Sequence, residues 1–392
     1  MKRTRALLGL LFVLGIALGI RAQAWAQGDA ISRFPPDVQP LVKGLPPKLI
    51  DLLLEVRNAG PGTLVWADAG GEFHEGQRRA FHTKWEKITG WKVQSAPQSQ
   101  TGGIPPDFET KTKTGKPEWD VVELSGYSYG FRFEPQGLFE KLDLSLFPVE
   151  KFPKKSLYSA YWVDTLDGST NLVYNKNVFK DAAKTPKSVL DLFDTARYPG
   201  KRCMWSFYDG GALELALMAD GVQAYQVYKT LTTDEGLQRA LKKLDSIKKD
   251  LVLVDSGAQS VQFPLDGQCD LGLTWNGRPA LRVRDEPTLP LAVVDKDALL
   301  WGDPFAIPKG AKSYKAALSA LAYALQPANQ CEFMNAIGYG VVMDKSCLSD
   351  FAAKWGPKAD VAALGQSQES IDFYVKHAKR LTEAWNAWKT SR

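Results

Sequence analysis

Two tryptophans and an aspartate stand in two apolar segments of the last third of the chain. Residues 271–275 end in Trp275, and residues 299–303 contain Trp301 and, two positions later, Asp303. Indole faces attract cations and a carboxylate neutralises them, so these side chains suit a cation with an apolar stem. The competing interpretation is that both indoles belong to the core, because buried tryptophan is common and the chain contains twelve.

Five short segments follow predicted strands and carry polar or aromatic residues. Ligands bind outside the carboxyl ends of the strands of an open α/β sheet, so we expect these segments to line one cleft. An ordinary strand-to-helix turn is the alternative for each segment taken alone. The segments are residues 70–73, 125–127, 209–214, 275–278 and 301–303.

Catalytic and metal-binding patterns are weak. Residues 126–130 match G-x-S-x-G around Ser128, but Pro135 and Gly137 interrupt the long helix that a nucleophile elbow requires, so an exported serine hydrolase is a minor alternative. His74 and His82 are eight residues apart rather than four, and no C-x-x-C pair is present. We therefore expect no enzyme activity, no metal site and no cofactor.

The order of predicted elements indicates two α/β lobes. A strand at residues 62–67, a helix that stops at Gly90 and a strand from Trp91 form a β-α-β unit, the beginning of a parallel sheet. Residues 162–175 and 304–308 are extended and could cross between lobes. The C-terminal helix, residues 366–390, carries an apolar stripe that predicts packing.

The N-terminus has the pattern of a secretory signal. A basic start precedes the apolar residues 6–20, a run too short to span a membrane, and Ala24 and Ala26 form a small-x-small cleavage site. No cysteine stands there, so no lipid anchor is expected. Residues 1–26 carry four basic residues and no acidic one, so the formal charge falls from +5 to +1 in the mature chain. That balance argues against a nucleic-acid partner.

The four cysteines predict two disulfides in an oxidising compartment. Four cysteines allow three pairings. Cys331 with Cys347 closes a short loop around residues 337–340, and we favour this pairing, which leaves Cys203 with Cys269 to join two strand-like segments.

Several stretches together resemble the periplasmic solute-binding proteins of bacterial ABC importers, in particular the spermidine/putrescine-binding group. The resemblance covers nearly the whole mature chain except residues 27–60. The order Trp-Asn-Gly and then Trp-x-Asp is its most specific feature. The matching stretches are residues 119–127, 137–143, 256–260, 270–277, 299–303, 306–312 and 337–340.

The resemblance implies the type II periplasmic-binding-protein fold, with a polyamine such as putrescine or spermidine in the cleft between two lobes. The aromatic box and amine-binding carboxylate of the family fall on Trp275, Trp301 and Asp303. Its Ser-x-Tyr loop falls on Ser125 and Tyr127. The solute contacts in the first loop of the family fall near Glu72 and Phe73, and the resemblance fixes their positions to within one residue. The implied partners are the solute and an inner-membrane permease, and we expect a periplasmic monomer.

One departure from the family pattern leaves the solute open. Asp209 and Glu214 lie near the position of the paired acids of the third loop, but Gly210 and Gly211 replace the charged residues expected there. The alternative is therefore an anionic or zwitterionic solute, such as an aminoalkyl phosphonate or an amino acid, bound by the helix N-terminus after Gly211 together with Arg278.

The expected domain organisation has four parts. Residues 1–26 form the signal, and residues 27–60 form an N-terminal extension of unassigned role. Lobe 1 combines residues 61–167 and 302–348, and lobe 2 combines residues 168–301 and 349–392. A hinge is expected near residues 164–170 and 301–305, so that solute binding shifts an open–closed equilibrium.

Overall fold

The computed structural model describes residues 29–97, 105, 107–151, 159–340, 345–365 and 367–391, so the predicted signal lies outside it. Eight strands form its sheet: β1 (Thr63–Asp68), β2 (Lys92–Pro97), β3 (Val121–Glu123), β4 (Trp162–Asn175), β5 (Arg202–Trp205), β6 (Leu251–Val254), β7 (Leu271–Trp275) and β8 (Leu291–Ala306). Their order is β2-β1-β3-β8-β4-β7-β5-β6.

Two parallel strand groups flank a central antiparallel pair. Strand β1 runs parallel to β2 and β3, and β5 runs parallel to β6 and β7. Strands β4 and β8 pair antiparallel along almost their whole length. Each flanking group and its helices form half of the molecule, so the fold is the two-lobe α/β architecture predicted from the sequence.

The α-helices cover both faces of the sheet. They are Gln39–Val42, Pro47–Asn58, Gly71–Gln77, Thr83–Thr89, Phe108–Lys113, Tyr127–Phe133, Ala212–Ala219, Val227–Leu231, Asp234–Asp245, Gly257–Leu265, Gly277–Asp285, Tyr314–Ala324, Pro327–Ile337, Asp350–Trp355 and Gln368–Thr390. A π-helical turn, Arg78–His82, joins the third helix to the fourth. Gly90 ends that helical run with φ 80°, the left-handed conformation that favours glycine at this position.

Strand β8 corrects one prediction about the site. We expected Trp301 at the end of a short strand, followed by a separate crossover. Instead Leu291–Ala306 is one strand of sixteen residues, and Trp301 lies in its second half. The reason is the pairing with β4: a register shift between Thr170 and Leu172 absorbs the irregular residues 295–298, so the ladder continues past them.

The hydrophobic core is divided between the lobes. One cluster combines β1, the helices before β2 and the helices Tyr314–Ala324 and Pro327–Ile337. A second combines β5, β7, the helices Ala212–Ala219 and Asp234–Asp245, and the stripe of the C-terminal helix at Phe373, Leu381, Trp385 and Trp388. Only β4 and β8 run through both halves, which leaves a cleft where these strands cross from one to the other.

The N-terminal extension is an integral part of lobe 1. Helix Pro47–Asn58 buries one face, including Leu49, Ile50 and Leu53, against helix Tyr314–Ala324. Burial of these apolar side chains stabilises the lobe. The extension therefore serves at least as packing for the first lobe.

Both predicted disulfides are confirmed. Cys203 on β5 is bonded to Cys269, just before β7, with 5.7 Å between their Cα atoms. Cys331 is bonded to Cys347 with a Cα separation of 5.8 Å. The second bond closes the loop that contains Tyr339, a residue of the cleft.

Candidate functional site

A cavity of about 160 Å³ lies in the cleft. Every one of the five predicted segments contributes to its wall, and so does the C-terminal helix, which was predicted only to pack. The lining residues are Ala69, Phe73, Glu123, Ser125, Gly126, Ser128, Thr170, Phe207, Asp209, Gly210, Gly211, Glu214, Tyr228, Trp275, Arg278, Leu299, Leu300, Trp301, Asp303, Tyr339, Ser370, Ile371 and Tyr374.

Trp275 and Trp301 meet in the cavity edge to face. Their ring centroids are 6.1 Å apart and their planes are inclined by 70°. One face of Trp275 is already covered by Trp205, which stacks on it at 4.3 Å. The two indoles therefore do not form a parallel sandwich, although both line the cavity.

Glycine at position 168 makes room for the Trp301 indole. Gly168 pairs with Trp301 across β4 and β8. A Cβ atom at position 168 would lie 2.2 Å from Cη2 of that indole. Because position 168 has no side chain, the Trp301 indole can lie over strand β4 and extend into the cleft.

Asp303 shares a hydrogen bond with Glu123, a residue that the sequence did not single out. Glu123 also accepts a hydrogen bond from the backbone N–H of Ala69 at 3.1 Å. Burial and the neighbouring carboxylates raise the pKa of Glu123 well above its usual value, and burial also raises the pKa of Asp303. Two carboxyl groups that share a hydrogen bond in this way titrate as a coupled pair.

Arg278 is the only cationic side chain among the described residues that line the cavity. It stands near the start of helix Gly277–Asp285, with its guanidinium carbon 5.8 Å from the Trp275 ring centroid. It hydrogen-bonds Tyr339 and lies close enough to favour the charged form of Asp303. Its Nε and the indole Nε1 of Trp301 are buried donors without an acceptor among the described residues.

Asn276 ties this part of the site to strand β4. Its side-chain oxygen accepts a hydrogen bond from the Ser169 N–H on β4 at 2.9 Å. Its amide nitrogen donates to the carbonyl oxygens of Gly338, at 3.0 Å, and Trp355, at 2.8 Å. One buried side chain thus fixes the Trp275–Arg278 segment to a crossing strand and to the loop that carries Tyr339.

Glu214 contributes a further carboxyl group to the cavity wall. Its residue surface is only 2% exposed, and the Tyr374 hydroxyl donates to Oε1. Its other oxygen, Oε2, has no partner among the described residues. Burial raises the pKa of Glu214 to about 7, although the hydrogen bond from Tyr374 favours the carboxylate.

Asp209 reaches across the cleft. It is exposed, and the Tyr129 hydroxyl, on a helix of the opposite lobe, lies 3.5 Å from its Oδ2. A weak hydrogen bond of this kind can form only when the lobes are close together.

The first two predicted segments contribute unequally. Phe73 lines the cavity and packs edge to face on Phe333 at 5.2 Å. Glu72 does not line it: its exposed carboxylate lies 4.0 Å from Arg79 and 3.8 Å from Arg284. The reason is helical geometry, since consecutive residues of helix Gly71–Gln77 point about 100° apart. Ser125 lines the cavity, whereas the side chain of Tyr127 lies outside the described part of the structure.

Ser128 lines the cavity without a catalytic partner among the described residues. His74 is bound to Asp68 at 2.7 Å, His82 is buried against Trp66, and His377 lies against Phe373 on the C-terminal helix. The described residues also contain no group of acids, histidines and cysteines that could hold a metal ion. No helix in the described ranges is both long and apolar enough to cross a bilayer.

Sequence reasoning missed one glutamate and three tyrosines of the wall, and also Thr170 and Ser370. Glu123 lies within a buried strand, Tyr339 follows a helix, and Tyr228 and Tyr374 lie on helices far apart in the chain. Only Glu123 carried a usable signal, because an acid inside an apolar strand is rarely buried without a function.

Known proteins similar to this chain are solute-binding proteins. The family model "Bacterial extracellular solute-binding protein" matches residues 80–362. The gamma-aminobutyric acid-binding protein of Pseudomonas aeruginosa is 30% identical over 326 residues, which is 81% of this chain and 88% of that protein.

Solved structures agree. A GABA receptor superposes with a TM-score of 0.72 at 29% identity, covering 84% of this chain and 98% of the other. The periplasmic binding protein MotA of A. tumefaciens B6, in complex with glucopine, superposes with a TM-score of 0.73 at 26% identity, covering 83% and 99%.

Proposed function

Because the chain belongs to the bacterial extracellular solute-binding proteins, the binding components of ABC importers, we propose that its solute is an amino-acid-like zwitterion. The family acts outside the cytoplasm and binds small molecules rather than transforming them. The chain is accordingly a transport protein and not an enzyme, and it delivers its solute to the membrane part of the transporter.

The observation that carries the proposal is the juxtaposition of Arg278 and Asp303 in one cavity. A guanidinium accepts a carboxylate in a bidentate geometry, and a carboxylate accepts an ammonium. The unsatisfied N–H groups of Arg278 and Trp301 also favour an acceptor group in the solute. We assign the solute's carboxylate to Arg278 and its ammonium to Asp303, with the free face of Trp275 beside the carbon chain.

The polyamine predicted from the family resemblance is less well supported. Three of the relatives with 25% identity or more are named for GABA or glucopine. In addition, a diamine has no carboxylate that could pair with the Arg278 guanidinium in the cavity wall. A zwitterion supplies that carboxylate and therefore suits Arg278 better.

We propose that the lobes close on the solute by bending of β4 and β8 at the predicted hinge. The predicted lobe boundary falls at the paired positions Asp167–Gly302 and Gly168–Trp301, midway along the two crossing strands. Asp209–Tyr129 would join the lobes at the cavity, and Arg284–Glu72 would join them at its rim. The solute stabilises this form only as far as it binds it more tightly than the open one.

A thermal-shift panel tests the proposal. Purified mature protein would be heated with 4-aminobutanoate, norvaline, ornithine, putrescine, spermidine or an aminoalkyl phosphonate, each at 1 mM. A solute present at 100 times its Kd stabilises the fold by about 2.7 kcal/mol, a shift that the assay resolves. We expect shifts with zwitterions and none with putrescine. A shift with the two polyamines alone would refute the proposal and restore the polyamine prediction.

A further inference from the structure

Glu214 is a buried carboxylate that the Arg278–Asp303 pair leaves unused. It lies on helix Ala212–Ala219, lines the cavity and is almost fully buried, and its Oε2 has no partner among the described residues. A buried acid with an unpaired oxygen is costly to the fold unless a ligand completes it.

Aromatic rings surround this carboxylate on the cavity side. Tyr374 donates its hydroxyl to Oε1, and Tyr228 stands 6.3 Å from Tyr374, ring centre to ring centre, at an interplanar angle of 68°. The Tyr228 hydroxyl is in turn hydrogen-bonded to Ser370, which fixes its ring. Two tyrosine rings that line a cavity beside a carboxylate suit an organic cation.

We propose that Glu214, Tyr228 and Tyr374 form a subsite for a second cationic nitrogen of the solute, so that the preferred solute is a basic amino acid. The carboxylate and α-ammonium occupy Arg278 and Asp303, and the side-chain ammonium or guanidinium occupies Glu214. This inference rests on the proposed function and narrows its solute class.

The length of β8 between Leu299, beside the start of the Glu214 helix, and Asp303 suits a solute of this length. Gly211 contacts Leu299, since a Cβ atom on Gly211 would lie 2.2 Å from Leu299 Cδ1. Leu299 stands four residues before Asp303 on β8, which is about 13 Å along a strand. Five bonds of an extended chain span about 6 Å. With a hydrogen bond of about 2.9 Å at each end, the two nitrogens of ornithine bridge roughly 12 Å.

The charges around Glu214 also favour a cation. Asp209 is an ionisable acid near this end, and Tyr208, Tyr228 and Tyr374 are titratable neighbours. Glu369 acts on Tyr228 and Arg132 acts on Tyr208, but no described cationic side chain lines this part of the wall. With its pKa near 7, Glu214 is partly protonated in the free protein at neutral pH. A bound cation stabilises the carboxylate, so binding releases a fraction of a proton.

Matched solutes and variants test the subsite by calorimetry at pH 7. Ornithine and norvaline share a carbon skeleton and differ in the terminal ammonium. We expect ornithine to bind at least tenfold more tightly than norvaline to the native chain, and Glu214→Gln to reduce the ratio to below threefold with norvaline unchanged. Titration in two buffers of different ionisation enthalpy should show more proton release with ornithine than with norvaline, and Glu214→Gln should remove the difference. Glu383→Gln, an exposed carboxylate on the C-terminal helix, is the control.

The two proposals fail differently. Ornithine that binds no better than norvaline or 4-aminobutanoate, or a preference that Glu214→Gln leaves intact, overturns the subsite and leaves the zwitterion proposal standing. Absence of binding by all three amino acids overturns both. Tyr374→Phe removes only the hydroxyl donor to Glu214 and replaces Glu214→Gln if that variant proves unstable. It should reduce the preference for ornithine over norvaline without abolishing it.

Discussion

Asp303→Asn removes the charge proposed to hold the solute's ammonium while it keeps the size of the side chain. In the native protein the ammonium meets a desolvated carboxylate beside Glu123, where solvent cannot replace the lost partner. Removing one partner of a buried ion pair costs about 3–5 kcal/mol. At about 1.4 kcal/mol per factor of ten, the Kd for 4-aminobutanoate should rise by two to three and a half decades.

A double comparison by calorimetry isolates the charge pair. The native protein and Asp303→Asn would each be titrated with 4-aminobutanoate and with butanoate, which lacks the ammonium. Butanoate should bind weakly and equally to both proteins, so that the variant's loss appears only with the amino compound. Asp360→Asn, on an exposed residue, is the control for the substitution itself. A Kd for 4-aminobutanoate within threefold of the native value in Asp303→Asn would remove this carboxylate from the site.

Four further outcomes follow from the same geometry. Arg278→Met should abolish binding of amino acids and leave melting of the free protein nearly unchanged, which a thermal-shift series would measure. The raised pKa of Glu214 contributes about 3 kcal/mol of stability that is fully present below the ordinary carboxyl pKa and is lost as the pH rises through about 7. The free protein should therefore melt at a lower temperature at pH 8 than at pH 5, and Glu214→Gln should reduce that difference, while Asp303 and Glu123 keep the remainder. Asn276→Ala leaves three buried backbone groups unpaired, so urea titration should show a loss of about 3 kcal/mol, whereas a loss below 1 kcal/mol would argue against its tying role. Replacing Cys331 and Cys347 together by serine should cost about 3 kcal/mol, given the short loop that they close, and should weaken solute binding by loosening Tyr339.

The sequence was most informative where a strand end coincides with the site. Trp275 and Arg278 follow β7 directly, and strand β7 has the bounds that its apolar run predicts. The helix that follows Gly211 was also placed correctly, because the glycine pair precedes an unbroken apolar segment. Local pattern suffices in such cases, since the residue that leaves a strand end must face the crevice.

Other features depend on contacts between distant parts of the chain. Trp301 lies in mid-strand because β4 pairs with β8 past the irregular residues, and no periodicity within residues 291–306 contains that information. Tyr374 faces the cavity although its neighbour Phe373 faces the core, a difference set by how the C-terminal helix is rotated against the sheet. The hydrogen bond between Asp303 and Glu123 joins positions 180 residues apart and was invisible for the same reason.

The central claim is that an amino-acid-like solute lies between the lobes with its carboxylate on Arg278 and its ammonium on Asp303. A crystal structure with 4-aminobutanoate bound tests it directly. We expect solute density in the cavity, with carboxylate oxygens about 2.8 Å from the Arg278 guanidinium and the nitrogen about 2.8 Å from an Asp303 oxygen. A solute in the reverse orientation, or outside this cavity, would contradict the account.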